Sequence, residues 1–108
     1  MGFFKWIIYK IFDEKIYLKI INRLFFISYY SGFLKVVKIY KIHYFVKKLI
    51  QEGDSVIDLG ANLGFYSVIF SKLTGIKGKV YSIEPIEIFR TILSRNTREL
   101  SNVEIILN

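Results

Sequence analysis

The chain has 108 residues, of which 53% are hydrophobic, 18% aromatic and 23% charged. This length accommodates one small domain, and the hydrophobic content excludes a disordered polar tail. Because cysteine is absent and His43 is the single histidine, disulfides, thiolate metal sites and zinc sites built from paired His or Cys are excluded. Carboxylates alone could still bind a metal ion, but no pattern in the sequence indicates one, and we predict no metal site.

The positive charge is concentrated in the first half of the chain. Residues 1–50 contain ten Lys or Arg residues against Asp13 and Glu14, which gives +8, whereas residues 51–108 contain six basic and seven acidic residues, which gives −1. We therefore predict two parts with different roles. These are a basic, aromatic-rich helical segment over residues 1–50 and an α/β part over residues 51–108.

The front segment has features of a helix that lies on a membrane surface. Its longest uncharged stretch runs from Leu24 to Leu34, well short of the roughly 20 apolar residues that a spanning helix needs. Lysines that alternate with Phe and Trp6 favour weak peripheral contact with an anionic membrane, although a solvated basic face is the more common outcome. The same charge could attract nucleic acid, but no stacking or base-reading motif accompanies it, so we expect no nucleic-acid partner. We expect a cytoplasmic protein, with any membrane contact peripheral.

Apolar residues recur at helical spacing through the front segment and predict two or three amphipathic helices. Ser31-Gly32 is the predicted break, because glycine commonly follows the last residue of a helix in a left-handed conformation. His43 lies among apolar helical positions and is predicted to be a partly exposed helix residue rather than a catalytic base. The apolar positions form three groups: Phe4, Ile7, Ile8 and Ile11; Tyr17, Ile20, Ile21 and Leu24; and Ile39, Ile42, Val46 and Leu49.

From Gly53 onward, predicted strands and helices alternate. The apolar stripes predict two helices, the first capped by Asn62 and running to Leu73, the second running from Ile86 to Leu100. Strands that alternate with helices of this length form right-handed βαβ units. The predicted fold is α/β: the first three strands of a Rossmann-like, doubly wound parallel sheet, preceded by the amphipathic helical segment. Short runs rich in Val and Ile predict the three buried strands at residues 55–59, 79–83 and 103–107.

A glycine-containing turn flanked by acids carries the chemistry. Asp58 lies near the end of the first strand, and Gly60 and Gly64 lie in the turn that follows it. Glu84 ends the next strand. Such a turn lets a ligand approach the backbone closely at the carboxyl edge of the sheet, and an acid at the next strand end can accept hydrogen bonds from both hydroxyls of a ribose. These residues predict a nucleoside-binding site.

Two features favour S-adenosylmethionine over a nicotinamide dinucleotide. The dinucleotide fingerprint needs three glycines, and Asn62 occupies the middle position here. Asp58 places negative charge near the turn, which disfavours a pyrophosphate but suits a ligand that carries a sulfonium and an ammonium group. Taken one at a time, Asp58, Gly60 and Gly64 could be packing residues of any α/β protein. Their combination with Glu84 indicates a cofactor site.

The stretch from Glu52 to Ser67, EGDSVIDLGANLGFYS, followed by VYSIEP at residues 80–85, resembles the first two motifs of FkbM-type methyltransferases. These are class I S-adenosylmethionine-dependent enzymes, and the resemblance covers residues 53–108, about half of the chain. Ile86 departs from the polar residue expected after Glu-Pro, which leaves the adenine contacts undefined. The resemblance assigns cofactor-binding roles as follows: Asp58 and Gly60 line the methionine end, Ala61, Asn62 and Gly64 shape the turn, and Glu84 binds the ribose.

The resemblance implies methyl transfer from the sulfonium to an oxygen nucleophile of a small molecule, a sugar or a lipid. The group that would deprotonate a hydroxyl acceptor is not identifiable, and no catalytic residue is predicted. Because the implied fold uses seven strands and three are predicted, we expect an N-terminal portion of the enzyme that is inactive alone. The alternative is a non-catalytic or membrane-surface protein whose nucleotide-binding half-domain is vestigial.

Overall fold

The computed structural model describes residues 2, 3, 5, 6, 13–33 and 41–107. Its centre is a parallel sheet of three strands in the order β1-β2-β3. Val56 of β1 lies beside Val80 of β2, and Val80 lies beside Val103 of β3. The predicted α/β fold with three parallel strands is confirmed. The strand bounds are β1, Ser55–Leu59; β2, Lys79–Ile83; and β3, Val103–Ile106.

Helices α1 to α4 accompany the sheet: α1, Glu14–Tyr30; α2, Ile42–Phe45, which continues as a 3-10 turn over Val46–Lys48; α3, Phe65–Thr74; and α4, Glu87–Thr97. Asp13 caps the N-terminus of α1, because its Oδ1 accepts a hydrogen bond of 2.9 Å from the Ile16 amide. The predicted break at Ser31-Gly32 is confirmed, with Gly32 in the left-handed region at φ +82°. The predicted stripe over Phe4, Ile7, Ile8 and Ile11, residue Ile39 and the side chains of Ile42 and His43 lie outside the described residues.

Two helix boundaries differ from the sequence prediction. Asn62 does not cap α3; the cap is Gly64, without a side-chain hydrogen bond. The reason is that Asn62 and Gly64 both adopt positive φ, at +57° and +92°, so the chain turns for longer before the helix begins. At the other end, α4 stops at Thr97, and Leu100 lies in the turn that leads into β3.

The front segment packs on the α/β part through aromatic rings. The buried cluster comprises Phe25 and Tyr29 of α1 with Val46 and Ile69. Phe25 stacks on Phe65 at the start of α3, with ring centroids 3.8 Å apart. The face of α1 that packs against α3 therefore differs from the predicted apolar stripe, because Phe25 and Tyr29 are buried and Leu24 is exposed.

The two faces of the sheet are covered unequally. Asp58 and Ser82 face α3, where both lie within hydrogen-bond reach of Ser67. Because side chains alternate along a strand, Ile57 and Leu59 of β1 lie on the opposite face, where they are 65% and 74% exposed. Among the described residues nothing buries them, although parallel sheets are ordinarily covered on both faces. No helix in the described ranges is long and apolar enough to span a bilayer.

Candidate cofactor-binding site

The turn predicted to bind the cofactor is a loop, Gly60–Gly64, that runs from β1 to α3 at the carboxyl edge of the sheet. It is tied to the end of β2, because the amides of Gly60 and Ala61 both donate to the Ile83 carbonyl at 2.9 Å. The Gly64 amide donates to the Ala61 carbonyl, also at 2.9 Å. The loop is therefore held by its own backbone before any ligand is considered.

Glu84 joins this loop to the end of β2. Its side chain is buried, and its two carboxylate oxygens accept hydrogen bonds of 2.8 Å from the amides of Asn62 and Ile86. A carboxylate offers about four acceptor positions, so two remain after these bonds form. The sequence predicted the position of Glu84 at the strand end, but it did not predict that the same carboxylate fixes the loop.

The two glycines at the ends of the loop serve different purposes. A Cβ atom added to Gly60 would meet no heavy atom within 4 Å, whereas one added to Gly64 would lie 2.8 Å from Cδ1 of Leu93 on α4. Gly64 is thus required where α3 approaches α4. Gly60 borders open space at φ +71°, which is where a ligand could come close to the backbone.

Asp58 lies beneath the loop in a buried polar chain. Its Oδ2 accepts a hydrogen bond of 2.7 Å from the Ser67 hydroxyl, which lies 2.6 Å from the Ser82 hydroxyl. Burial raises the pKa of the Asp58 carboxyl, and the hydrogen bond from Ser67 lowers it in part. Neither serine was singled out from the sequence, since isolated serines on a strand and a helix carry no distinctive pattern.

The loop has few free donors. The amides of Gly60, Ala61, Asn62 and Gly64 all donate to acceptors within the protein. A pyrophosphate needs several unoccupied N–H groups, and this loop does not provide them. The side chain of Ala61 is buried, whereas that of Asn62 is exposed at the sheet edge. The geometry therefore suits a cationic or neutral ligand better than a phosphate.

A pair of asparagines supports the loop from outside. Asn96 of α4 donates to the Leu63 carbonyl at 2.6 Å and to Oδ1 of Asn22 at 2.7 Å. Asn22 of α1 donates in return to Oδ1 of Asn96 at 2.9 Å. Asn96 lies within the helix predicted from Ile86 to Leu100, but its partner is 74 positions away and no sequence pattern indicates that pairing. In the described residues there is no group of three or more His, Cys, Asp or Glu side chains that could hold a metal ion.

The fold and this site define a class of protein, and solved structures agree. The chain is similar to an S-adenosylmethionine-dependent methyltransferase from Aquifex aeolicus, with 32% identity and a TM-score of 0.56 over 69% of this chain and 40% of that one. It is also similar to fibrillarin from Aeropyrum pernix, which was solved with S-adenosylmethionine natively bound. That match has 28% identity and a TM-score of 0.51 over 54% of this chain and 25% of that one. The class is that of the S-adenosylmethionine-dependent methyltransferases, which confirms the predicted cofactor.

The family follows from the sequence match. The model of the protein-L-isoaspartate(D-aspartate) O-methyltransferase (PCMT) family matches residues 8–108, and the chain belongs to this family. One curated relative is the protein-L-isoaspartate O-methyltransferase of Methanocella arvoryzae, 36% identical over 50 residues, or 43% of this chain and 27% of the relative. The chain spans about a quarter of the length of the curated relatives that it matches. The resemblance to FkbM-type enzymes is confirmed at the level of the methyltransferase class, whereas the family shown is PCMT.

Proposed function

We propose that the loop Gly60–Gly64 and Glu84 bind S-adenosylmethionine. The observation that carries this proposal is the Glu84 carboxylate, which fixes the loop through two amides and keeps two acceptor positions. These positions accept the two ribose hydroxyls. The methionine end of the cofactor lies over Gly60, where the backbone borders open space.

Charge supports the same assignment. The cofactor carries a sulfonium and an ammonium group, and the negative charges nearest to the loop are those of Asp58 and Glu84. Opposite charges attract most strongly where water is excluded, and both carboxylates are buried. Asp58 acts through the field beneath the loop, because its contacts are with Ser67 and not with the open side of Gly60.

The reaction proposed for the whole protein is methyl transfer to a carboxylate oxygen of a polypeptide. The methyl carbon forms a bond to the acceptor oxygen as its bond to sulfur breaks, which leaves a neutral thioether. The curated relatives are named for protein L-isoaspartate, and a carboxylate is already ionised at neutral pH, so it needs no base. The FkbM-type resemblance would instead imply a hydroxyl of a sugar, a lipid or a small molecule, which must lose a proton.

Calorimetric titration with S-adenosylmethionine tests the binding site. Glu84→Gln should weaken binding by about 1 to 3 kcal/mol, the usual loss when a charged acceptor is removed from hydroxyl partners. Glu99→Gln, which removes an exposed carboxylate beside Arg98, is the matched control and should bind normally. Unchanged affinity of the Glu84→Gln variant, with its circular dichroism intact, would remove Glu84 from the site.

A ligand-side change separates the ribose contact from the loop-holding role of Glu84. The 2′-deoxy analogue of S-adenosylhomocysteine lacks one hydroxyl and should bind the wild-type chain more weakly than the parent compound does. In the Glu84→Gln variant the two compounds should bind almost equally. An identical loss from the missing hydroxyl in both proteins would mean that Glu84 acts only by holding the loop.

The identity of the methyl acceptor is distinguished by whether the methylated product is stable to mild base. The full-length gene product is incubated with methyl-labelled S-adenosylmethionine and an isoaspartyl peptide, an aspartyl peptide or hydroxyl-bearing acceptors. Label on the isoaspartyl peptide that mild base releases as methanol would establish a carboxyl methyl ester. Base-stable label on a hydroxyl acceptor would favour the FkbM-type alternative.

We also propose that the front segment touches an anionic membrane surface weakly. Phe3 and Trp6 are 75% and 56% exposed, and their rings stack with centroids 6.2 Å apart. Aromatic rings beside lysines are the usual composition of an interfacial segment. Co-sedimentation with anionic vesicles should fall steeply as salt rises, because exposed charges are screened beyond about 10 Å at 0.1 M. Binding that is indifferent to salt and lipid charge would contradict the proposal.

A further inference from the structure

A groove runs between α1 and α4 and is lined in part by Asn22 of the asparagine pair. Two adjoining cavities of about 650 Å³ and 350 Å³ share Lys19, Ile92 and Arg95 as lining residues. The larger cavity begins at Ile86 and has the size of a typical small-molecule site. None of the residues assigned to the cofactor lines either cavity, although Ile86, which lines the larger one, donates its amide to Glu84.

The groove has fixed walls. Asn22 of α1 and Asn96 of α4 exchange two hydrogen bonds, of 2.9 and 2.7 Å, which lock the two helices side by side. Ile92 is 5% exposed and forms part of the floor, next to Ile86 and Ile88. The floor is therefore apolar, and the two helices that form the groove are fixed relative to each other by the asparagine pair.

The rim of the groove is strongly cationic. Lys15, Lys19 and Arg23 follow one another at four-residue spacing, so they lie on one face of α1 over about 12 Å. Arg95 faces them from α4. Among the described residues that line the groove, the one carboxylate is that of Glu87, in the larger cavity.

These cations have no ionic counterpart in the described part of the chain. The salt bridges found there join Lys79 to Glu104 and Arg98 to Glu99, and neither involves the rim of the groove. Like charges at four-residue spacing destabilise a helix. A bound anion would relieve that repulsion.

We infer that this groove binds an amphiphilic phosphate ester. The phosphate group lies between Lys19 and Arg95, where two helices each supply a cation, and Arg presents a planar fork that matches phosphate oxygens. The apolar part of the ligand lies on the isoleucine floor. A phosphate is favoured over a single carboxylate because it carries up to two negative charges and meets a rim of four cations. The ligand is either a soluble phosphorylated metabolite or the headgroup of an anionic lipid.

Titration of the 108-residue chain with octyl phosphate tests the inference. Followed by amide chemical shifts, binding should perturb residues of α1 and α4, and inorganic phosphate should bind at least about tenfold more weakly, because it cannot use the apolar floor. Lys19→Glu/Arg95→Glu should weaken octyl phosphate binding at least about tenfold. Lys48→Glu/Lys77→Glu makes the same change of charge at exposed positions outside the groove and should leave binding within about twofold of the wild type.

Three outcomes would overturn the inference: no binding of octyl phosphate, equal binding of inorganic phosphate, or equal losses in the two double variants. The comparison of octyl and inorganic phosphate uses the wild-type chain and so does not depend on how the variants fold. Vesicles of phosphatidylglycerol and phosphatidylcholine distinguish the two sources. Vesicle binding that Lys19→Glu/Arg95→Glu abolishes identifies a lipid headgroup, and octyl phosphate binding without vesicle binding identifies a soluble ligand.

Discussion

The contrast between Gly60 and Gly64 gives a sharp test of how the loop is built. Both residues have positive φ, at +71° and +92°, so replacing either by alanine forces an L-residue into the left-handed region at a cost of about 1–2 kcal/mol. At Gly60 that is the whole cost, because a Cβ there meets nothing within 4 Å. At Gly64 the Cβ would lie 2.8 Å from Cδ1 of Leu93, whereas carbon atoms pack at about 3.5–4.0 Å.

The overlap at Gly64 adds an overpacking cost, because Leu93 is fully buried and cannot move into solvent. Overpacking typically costs about 1–3 kcal/mol. We therefore expect Gly64→Ala to lower the free energy of unfolding by about 2–5 kcal/mol and Gly60→Ala by about 1–2 kcal/mol. The measurement is urea unfolding of both variants, followed by circular dichroism at 222 nm.

The result that would refute this reasoning is an equal loss of stability in the two variants, since it would mean that Leu93 yields without cost. A double-mutant cycle adds an independent check. Leu93→Ala removes the atom that the new Cβ would meet, so Gly64→Ala should cost less in the Leu93→Ala background than in the wild type. Strict additivity of the two substitutions would show that the two positions do not interact.

Three further predictions concern burial, the open sheet face and the asparagine pair. Burial holds the native pKa of the Asp58 carboxyl above its unfolded value, so the ionised carboxyl disfavours folding once the pH rises through the native pKa. Asp58→Asn should therefore unfold at a higher urea concentration than the wild type at pH 7. It should lose that advantage below about pH 3.9, where the carboxyl is protonated in both states. An Asp58→Asn variant that is less stable than the wild type at pH 7, or that keeps its advantage at low pH, would contradict the conclusion that ionised Asp58 destabilises the folded state. Ile57→Lys should reduce self-association in sedimentation velocity, because it places a charge on an exposed apolar edge strand. Unchanged self-association would show that this face of the sheet does not mediate it. Asn22→Leu should cost about 1–3 kcal/mol in urea unfolding, because it leaves Oδ1 of Asn96 without its donor while the bond from Asn96 to the Leu63 carbonyl remains. Asn22→Leu/Asn96→Leu should recover part of the loss, and a loss that persists in full would point to the Leu63 carbonyl instead.

Regular elements could be predicted from the sequence because their signals are local. The runs that predicted β1 and β2 have the bounds found in the structure, and the order of strands follows from short right-handed connections. The positions of Asp58 and Glu84 at adjacent strand ends were predictable for the same reason. Their grouping in one site needed only the rule that parallel strands end at the same edge.

The supports of the site could not be predicted, because they depend on contacts between distant parts of the chain. The left-handed turn at Asn62 follows from its bond to Glu84, 22 positions away, and not from its neighbours in sequence. The burial of Phe25 depends on Phe65 in another helix. The resemblance read from the motifs covered residues 53–108, whereas the family match begins at residue 8, so the front segment shares more with its relatives than its composition indicated.

The bonds made by Glu84 give the site a built-in reporter of occupancy. The amides of Asn62 and Ile86 are 24 positions apart in the sequence, yet both depend on one side chain. These two amide hydrogens can exchange with solvent only when their hydrogen bonds to the Glu84 carboxylate break or the loop opens locally. A ligand that engages the remaining acceptor positions must slow the exchange of both hydrogens together, even if it touches neither residue. Hydrogen exchange at this pair would therefore follow the filling of the site without any measurement of activity.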